Sequence, residues 1–151
     1  MPLLSEAALF YKLKGLTLWD NMKNMYKKYG YYKENQVSIV LEGADGAEKI
    51  KNMMERIRNN PPEKVGKYRV LKFRDYLNGK IKDYETKRIY DENLPKSNVL
   101  YFELEDDFWC CVRPSGTEPK IKFYMGVKGN SIENANSLVE ELTNGMKELM
   151  E

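Results

Sequence analysis

The sharpest pattern in the chain is an alternation. In "KIKFYMGVK", residues 120 to 128, Ile121, Phe123, Met125 and Val127 share one side while Lys120, Lys122, Tyr124 and Lys128 share the other, the period-two signature of a strand with one buried and one basic face. Upstream, "NVLYFELEDDFWCCV" places Leu100, Phe102 and Leu104 on one face with Asp106-Asp107 near a turn, which predicts a hairpin. "QVSIVLEG" from residue 36 reads as a short β-branched strand, and "KVGKYRVLKFRDY" as another. Residues 74 to 97 read as a charged connection, with turn signals at Asn78-Gly79 and Asn93 to Pro95.

Helical spacing appears in four places. "PLLSEAALFYKLKG" sets Leu4, Ala8 and Tyr11 on one stripe between Pro2 and a terminating Gly15. "TLWDNMKNMYKKYG" follows, with Thr17 as N-cap, a stripe of Leu18, Met22, Met25, Tyr26 and Tyr29, and Gly30 as the stop. That Met and Tyr stripe reads as packing surface rather than a cofactor box. "ADGAEKIKNMMERIRNN" carries Asp45 and Glu48 at capping-box spacing ahead of Ala47, Ile50, Met53, Met54 and Ile57, and Pro61-Pro62 closes it. Ser131 caps a last helix whose stripe is Ile132, Ala135, Leu138, Val139, Leu142, Met146 and Leu149, with Glu133 in the first turn. From residue 36 the order is strand, helix, about four strands, helix. It predicts an α+β domain, an antiparallel sheet of about four to five strands with two helices on one face, preceded by a helical pair.

Size and composition narrow the field. The 151 residues, 42% of them hydrophobic, suit one ordinary domain. No apolar run approaches a membrane span, and "MPLLSEAALF" lacks a basic stretch and carries Glu6, so a soluble, cytoplasmic protein without a membrane partner is expected. Twenty-five Lys and Arg against 23 Asp and Glu leave a net charge of +2, too small to point to nucleic acid. The mixed-sign run from 74 to 97 reads as a solvated face. Histidine is absent, which removes the commonest general base and most zinc sites. Cys110 and Cys111 are neighbours on a strand and point to opposite faces, suiting neither a disulfide framework nor a metal site; at least one reads as a core residue. "GADG" at 43 to 46 could cradle a phosphate at a helix start, but Asp45 would occupy the anion's place, and capping is the better reading.

One loop remains. In "VRPSGTEPK", Pro114 and Pro119 fix the backbone at two points. Between them Ser115, Gly116, Thr117 and Glu118 keep their N–H groups, Ser115 and Thr117 add hydroxyls, and Gly116 allows a left-handed turn and close approach. Arg113 enters the loop with a planar fork suited to two oxygens of one phosphate. Glu118 would repel an anion, so its carboxylate is expected to bond backbone or a nearby cation. The loop reads as an anion site, against the plainer alternative of a tight strand connection.

"VRPSGTEPKIKFY" resembles the phosphate-binding loop in the fourth, C-terminal domain of the α-D-phosphohexomutases, the phosphoglucomutase and phosphomannomutase family, and the similarity extends over "YLNGKIKDYE", "LPKSNVLYFELEDDFW" and "TLWDNMKNMYKKYGYY". The resemblance implies a TATA-binding-protein-like fold for residues 36–151, with 1–35 as the closing helices of domain three. It implies an enzyme that interconverts hexose 1-phosphate and hexose 6-phosphate with Mg²⁺. The family's T-A-S-H-N-P-type serine loop, D-G-D-G-D-R-type metal loop and G-E-E-S-G-H-type sugar loop are all missing from this sequence, so the chain alone is expected to hold no metal and to be inactive. Carried over by position, Arg113, Ser115, Gly116 and Thr117 would bind the substrate's phosphate, with Lys122 assisting and Lys120 a weaker candidate. Expected partners are a hexose phosphate, phosphate or sulfate, the missing N-terminal domains, and a second copy through residues 1–30. Alternatives are a free-standing phosphosugar or anion-binding module and a nucleic-acid-binding sheet.

Overall fold

The computed structural model describes residues 2–43 and 45–149. A helical pair comes first, α1 (Pro2–Leu13) and α2 (Leu18–Tyr29). Thr17 and Asp20 form a reciprocal capping box at the start of α2, each side chain taking the other's backbone N–H at 3.0 Å. Strand β1 (Tyr31–Val40) starts five residues before the stretch that reads as a strand by sequence, because Tyr31 to Asn35 are polar or exposed and are held by pairing rather than burial. Helix α3 (Gly46–Asn59) follows.

The sheet is antiparallel throughout and contains more strands than the alternation predicts. After β2 (Lys64–Val65) and β3 (Tyr68–Asp75) come β4 (Lys80–Asp83), β5 (Arg88–Asp91), β6 (Leu100–Leu104), β7 (Trp109–Pro114) and β8 (Lys120–Gly129). Their order across the sheet is β1-β8-β7-β6-β3-β4-β5, and β2 pairs β3 off that path. The added strands β4 and β5 lie inside the stretch that reads as a charged connection. They carry almost no apolar signal, and the Asn78-Gly79 turn, with Gly79 at φ 64°, folds β4 back along β3.

Helix α4 (Ile132–Glu148) begins at Ser131, whose hydroxyl accepts from the backbone N–H of Asn134 at 3.0 Å. Helices α3 and α4 share one core with one face of the sheet. Ile50, Met54 and Ile57 from α3 and Val139, Leu142 and Met146 from α4 meet Phe102, Val112, Phe123 and Met125. Cys110 is fully buried there, and Cys111 lies half-buried on the other face. The helices therefore leave the second face of the sheet open.

The capping box expected at Asp45 and Glu48 does not form. Asp45 sits at the N-cap with a helical backbone and makes no side-chain cap bond; its carboxylate pairs with Lys49 at 2.6 Å, which holds it below the usual carboxylate range. Gly46 has a packing reason, since a Cβ there would fall 1.9 Å from the Leu41 carbonyl oxygen. Ala44 of the "GADG" stretch lies outside the described residues. No helix among the described residues is long and apolar enough to cross a membrane.

Candidate functional site: the loop from Arg113 to Lys122

Strand pairing builds this site. Arg113 on β7 lies directly opposite Lys122 on β8, and Lys122 lies opposite Ser38 on β1. Paired residues of antiparallel strands point to the same side, so the three form a row on the open face. Directly opposed like charges are destabilising, and here nothing offsets them. Among the described residues neither the Arg113 nor the Lys122 side chain has a hydrogen bond or ion pair, although several other arginines are neutralised. Arg58 bonds Asp75, Arg69 bonds Glu105, and Arg74 bonds Glu92 and Glu103. Two adjacent uncompensated cations are what an anion would compensate.

The loop between them is braced from inside. The Ser115 N–H donates to the Lys120 carbonyl at 2.7 Å, the Lys120 N–H to the Glu118 carbonyl at 2.7 Å, and the Leu41 N–H to the Pro119 carbonyl at 2.9 Å. The sequence alone leaves the Ser115 N–H free for a ligand; the turn uses it instead. The N–H groups of Gly116, Thr117 and Glu118 have no partner among the described residues. Gly116 does not take a left-handed φ, and a Cβ there would meet nothing within 4 Å. Its value to the loop is thus open space, not a special backbone angle. Glu118 turns to Lys120, with carboxylate and ammonium 3.1 Å apart. This pairing also spends Lys120 as a cation, leaving Arg113 and Lys122.

Gly116 and Thr117 are exposed at the tip, while Ser115 is half-buried. Ser115 helps to line a cleft of about 340 Å³ between the loop and α3, together with Lys51, Glu55, Arg58 and Asn98. A larger groove of about 620 Å³ lies at the opposite end of the sheet, around Arg69, Lys82, Asp83 and Tyr84, where both signs of charge mix. Ser38 escaped sequence reasoning because its place beside Lys122 depends on a long-range register. Among the described residues no three His, Cys, Asp or Glu side chains converge as metal ligands.

No protein-family model matches the chain. Curated relatives do match. The phosphoglucomutase of Staphylococcus aureus strain MSSA476 is 34% identical over 134 residues, 89% of this chain and 24% of that protein. The phosphoglucomutase of strain USA300 is 37% identical over 128 residues, 85% of this chain and 23% of that protein. A solved Paramecium phosphoglucomutase, pp63/parafusin in its open form, aligns with 87% of this chain and 23% of that chain at 13% identity, with a TM-score of 0.44; so loose a superposition adds nothing to the sequence matches. The resemblance carried by the loop and its flanking strands is thus matched by identity along most of the chain, which is a homologue of the phosphoglucomutases over about a quarter of their length.

Proposed function

We propose that the chain is the C-terminal, phosphate-binding domain of a phosphohexomutase, holding the phosphate of a hexose phosphate that is not reacting. The observation that carries this reading is the uncompensated pair Arg113 and Lys122 beside a loop with three free N–H groups. Arg113 would grip two phosphate oxygens, Lys122 would add a point charge, and Gly116 and Thr117 would supply donors at the tip. Ser115 contributes its hydroxyl, because its N–H is spent within the turn. The relatives' name supports the substrate class, and a cytoplasmic setting suits the two free thiols.

In this reading phosphoryl transfer belongs to parts of the polypeptide outside this chain. The Mg²⁺ expected for the whole enzyme belongs, on the same reading, with that transfer machinery. Incubation with glucose 1-phosphate, a bisphosphate primer and Mg²⁺ should leave the substrate unchanged. Turnover above a heat-treated control would contradict the assignment.

Binding alone should survive, weakly. One guanidinium fork and a few N–H groups facing water support a dissociation constant on the order of millimolar. Phosphate, sulfate and glucose 6-phosphate should compete, and should move the amide resonances of Ser115, Gly116 and Thr117 at low ionic strength. Arg113→Ala should abolish those shifts, and Arg113→Lys should keep only a remnant, since an ammonium cannot make the paired bonds. Shifts centred on Gly43 and Gly46 instead would place the anion at the wrong loop for this proposal.

A further inference from the structure

Resting on that phosphate reading, we propose that the open sheet face next to Arg113 and Lys122 is a platform for the sugar ring of the bound phosphate ester, with Tyr124 as its stacking residue. The register sets the geometry. Two residues along the strands from the row Arg113, Lys122, Ser38 lies a second row on the same face, formed by Cys111, Tyr124 and Gln36, and continued by Tyr101 on β6. Rows two residues apart in a sheet are separated by about 7 Å, room for one ring beside a phosphate held at the first row.

Charge along the face selects the ligand. The first row carries two uncompensated cations. The second carries none, for Cys111 and Tyr101 stay neutral as burial pushes them up to about 11 and about 12. Where that row continues from Tyr101 onto β3, Arg74 is bonded by two carboxylates, Glu92 and Glu103. A polynucleotide carries a phosphate at every residue and would run from the cation row into that acidic end. A single phosphate with a neutral, hydroxyl-rich body matches the sequence of cation, aromatic and acid.

The second row also offers polar groups. The Gln36 amide nitrogen donates to the Ser38 hydroxyl at 3.1 Å, which ties Gln36 to the cation row and leaves its carbonyl oxygen to accept from a sugar hydroxyl. One step further along β8, Gly126 leaves space for the Trp109 indole, which stacks on Tyr101 with ring centroids 5.9 Å apart at 13°. This pair bounds the platform. An aromatic face presents apolar surface to the C–H side of a sugar while its hydroxyls reach outward.

The test is a paired titration of the full chain with inorganic phosphate and with glucose 6-phosphate. Phosphate should move the amides of Ser115 to Thr117 only. Glucose 6-phosphate should bind about three- to tenfold more tightly, shift the Tyr124 ring resonances, and receive saturation transfer from aromatic protons. Tyr124→Ala should lower its affinity to that of phosphate without changing phosphate binding, while Tyr124→Phe should restore most of it; Gln36→Ala offers a milder second variant. Equal affinities with a silent Tyr124 would overturn the platform and leave the phosphate site standing. Absence of the phosphate shifts themselves would bring down the reading beneath it. Tighter binding of a short oligonucleotide, with Tyr101 and Trp109 responding, would overturn the proposal in favour of a nucleic-acid surface.

Discussion

Cys110 and Cys111 are chemically alike and adjacent, yet the strand sends one into the core and the other to the open face. Burial pushes the Cys110 thiol far up and the Cys111 thiol up to about 11. Because only the thiolate attacks, and pH 8 lies about three units below 11, on the order of one Cys111 in a thousand is ionised there. A chromogenic disulfide reagent at pH 8 should therefore find no fast-reacting thiol in the native chain and two in denaturant. Rapid native labelling of Cys111 would mean that the open face is far more solvated than its packing indicates. The same residue-by-residue reasoning separates the arginines. Arg58, Arg69 and Arg74 are matched to carboxylates, and Arg88, unpaired among the described residues, lies opposite an acid, Asp83, so Arg113 is set apart by having another unpaired cation, Lys122, directly opposite it. That contrast was invisible in the sequence, where each is one more charge in a mixed run.

Among the elements, α4 meets the sheet most closely where no side chain intervenes. A Cβ on Gly145 would lie 2.6 Å from the backbone nitrogen of Gly66 and 2.7 Å from its Cα, and Gly66 is itself in a left-handed turn at φ 55°. Helix propensity favours alanine over glycine by about 1 kcal/mol, but overpacking costs about 1–3 kcal/mol and here both parties are backbone. Gly145→Ala should lower the thermal midpoint by several degrees, whereas Gly116→Ala, in open space, should leave it unchanged. A stabilised Gly145→Ala chain would show that α4 stands off the turn. Elements with one buried face were legible from the sequence. Strand β8 alternates as its burial does, and Ser131 and Thr17 cap where their chemistry predicts. Strand β4 offers one apolar residue, Ile81, and every residue of β5 is exposed, so their pairing depends on the turn between neighbours and leaves no periodic trace. Asp45 and Glu48 had the spacing of a capping box, but Lys49 one turn along captured the carboxylate. The candidate site was legible as a loop composition with Arg113 and Lys122 already among its residues; the place of Ser38 beside them was not, because pairing of β1 with β8 joins positions far apart in sequence.

For the molecule as a whole, the unsatisfied part is its first thirty residues. Helix α1 buries no residue, Leu3 and Leu13 remain 80% exposed, and Leu4, Leu9, Phe10 and Trp19 are also open to solvent. The pair is anchored mainly at its end, where Tyr26 stacks on Tyr31 with centroids 5.7 Å apart. A surface of this kind on a chain spanning about a quarter of its relatives' length is where further polypeptide would pack in a longer protein. In its absence the available partner is a second copy. Burying four leucine-sized side chains gains about 6–12 kcal/mol, against about 4–15 kcal/mol for the lost freedom of two molecules, so the surplus is small and association should be weak. Sedimentation equilibrium should show a reversible dimer with a dissociation constant on the order of 10⁻⁴ M, little affected by salt because the contact is apolar. Leu3→Glu together with Leu13→Glu should return the chain to a monomer while the sheet's amide protection stays as it was. A chain that remains monomeric at millimolar concentration, with α1 amides protected as strongly as those of β8, would mean that α1 is stable without cover, and the exposed leucines would then need another explanation.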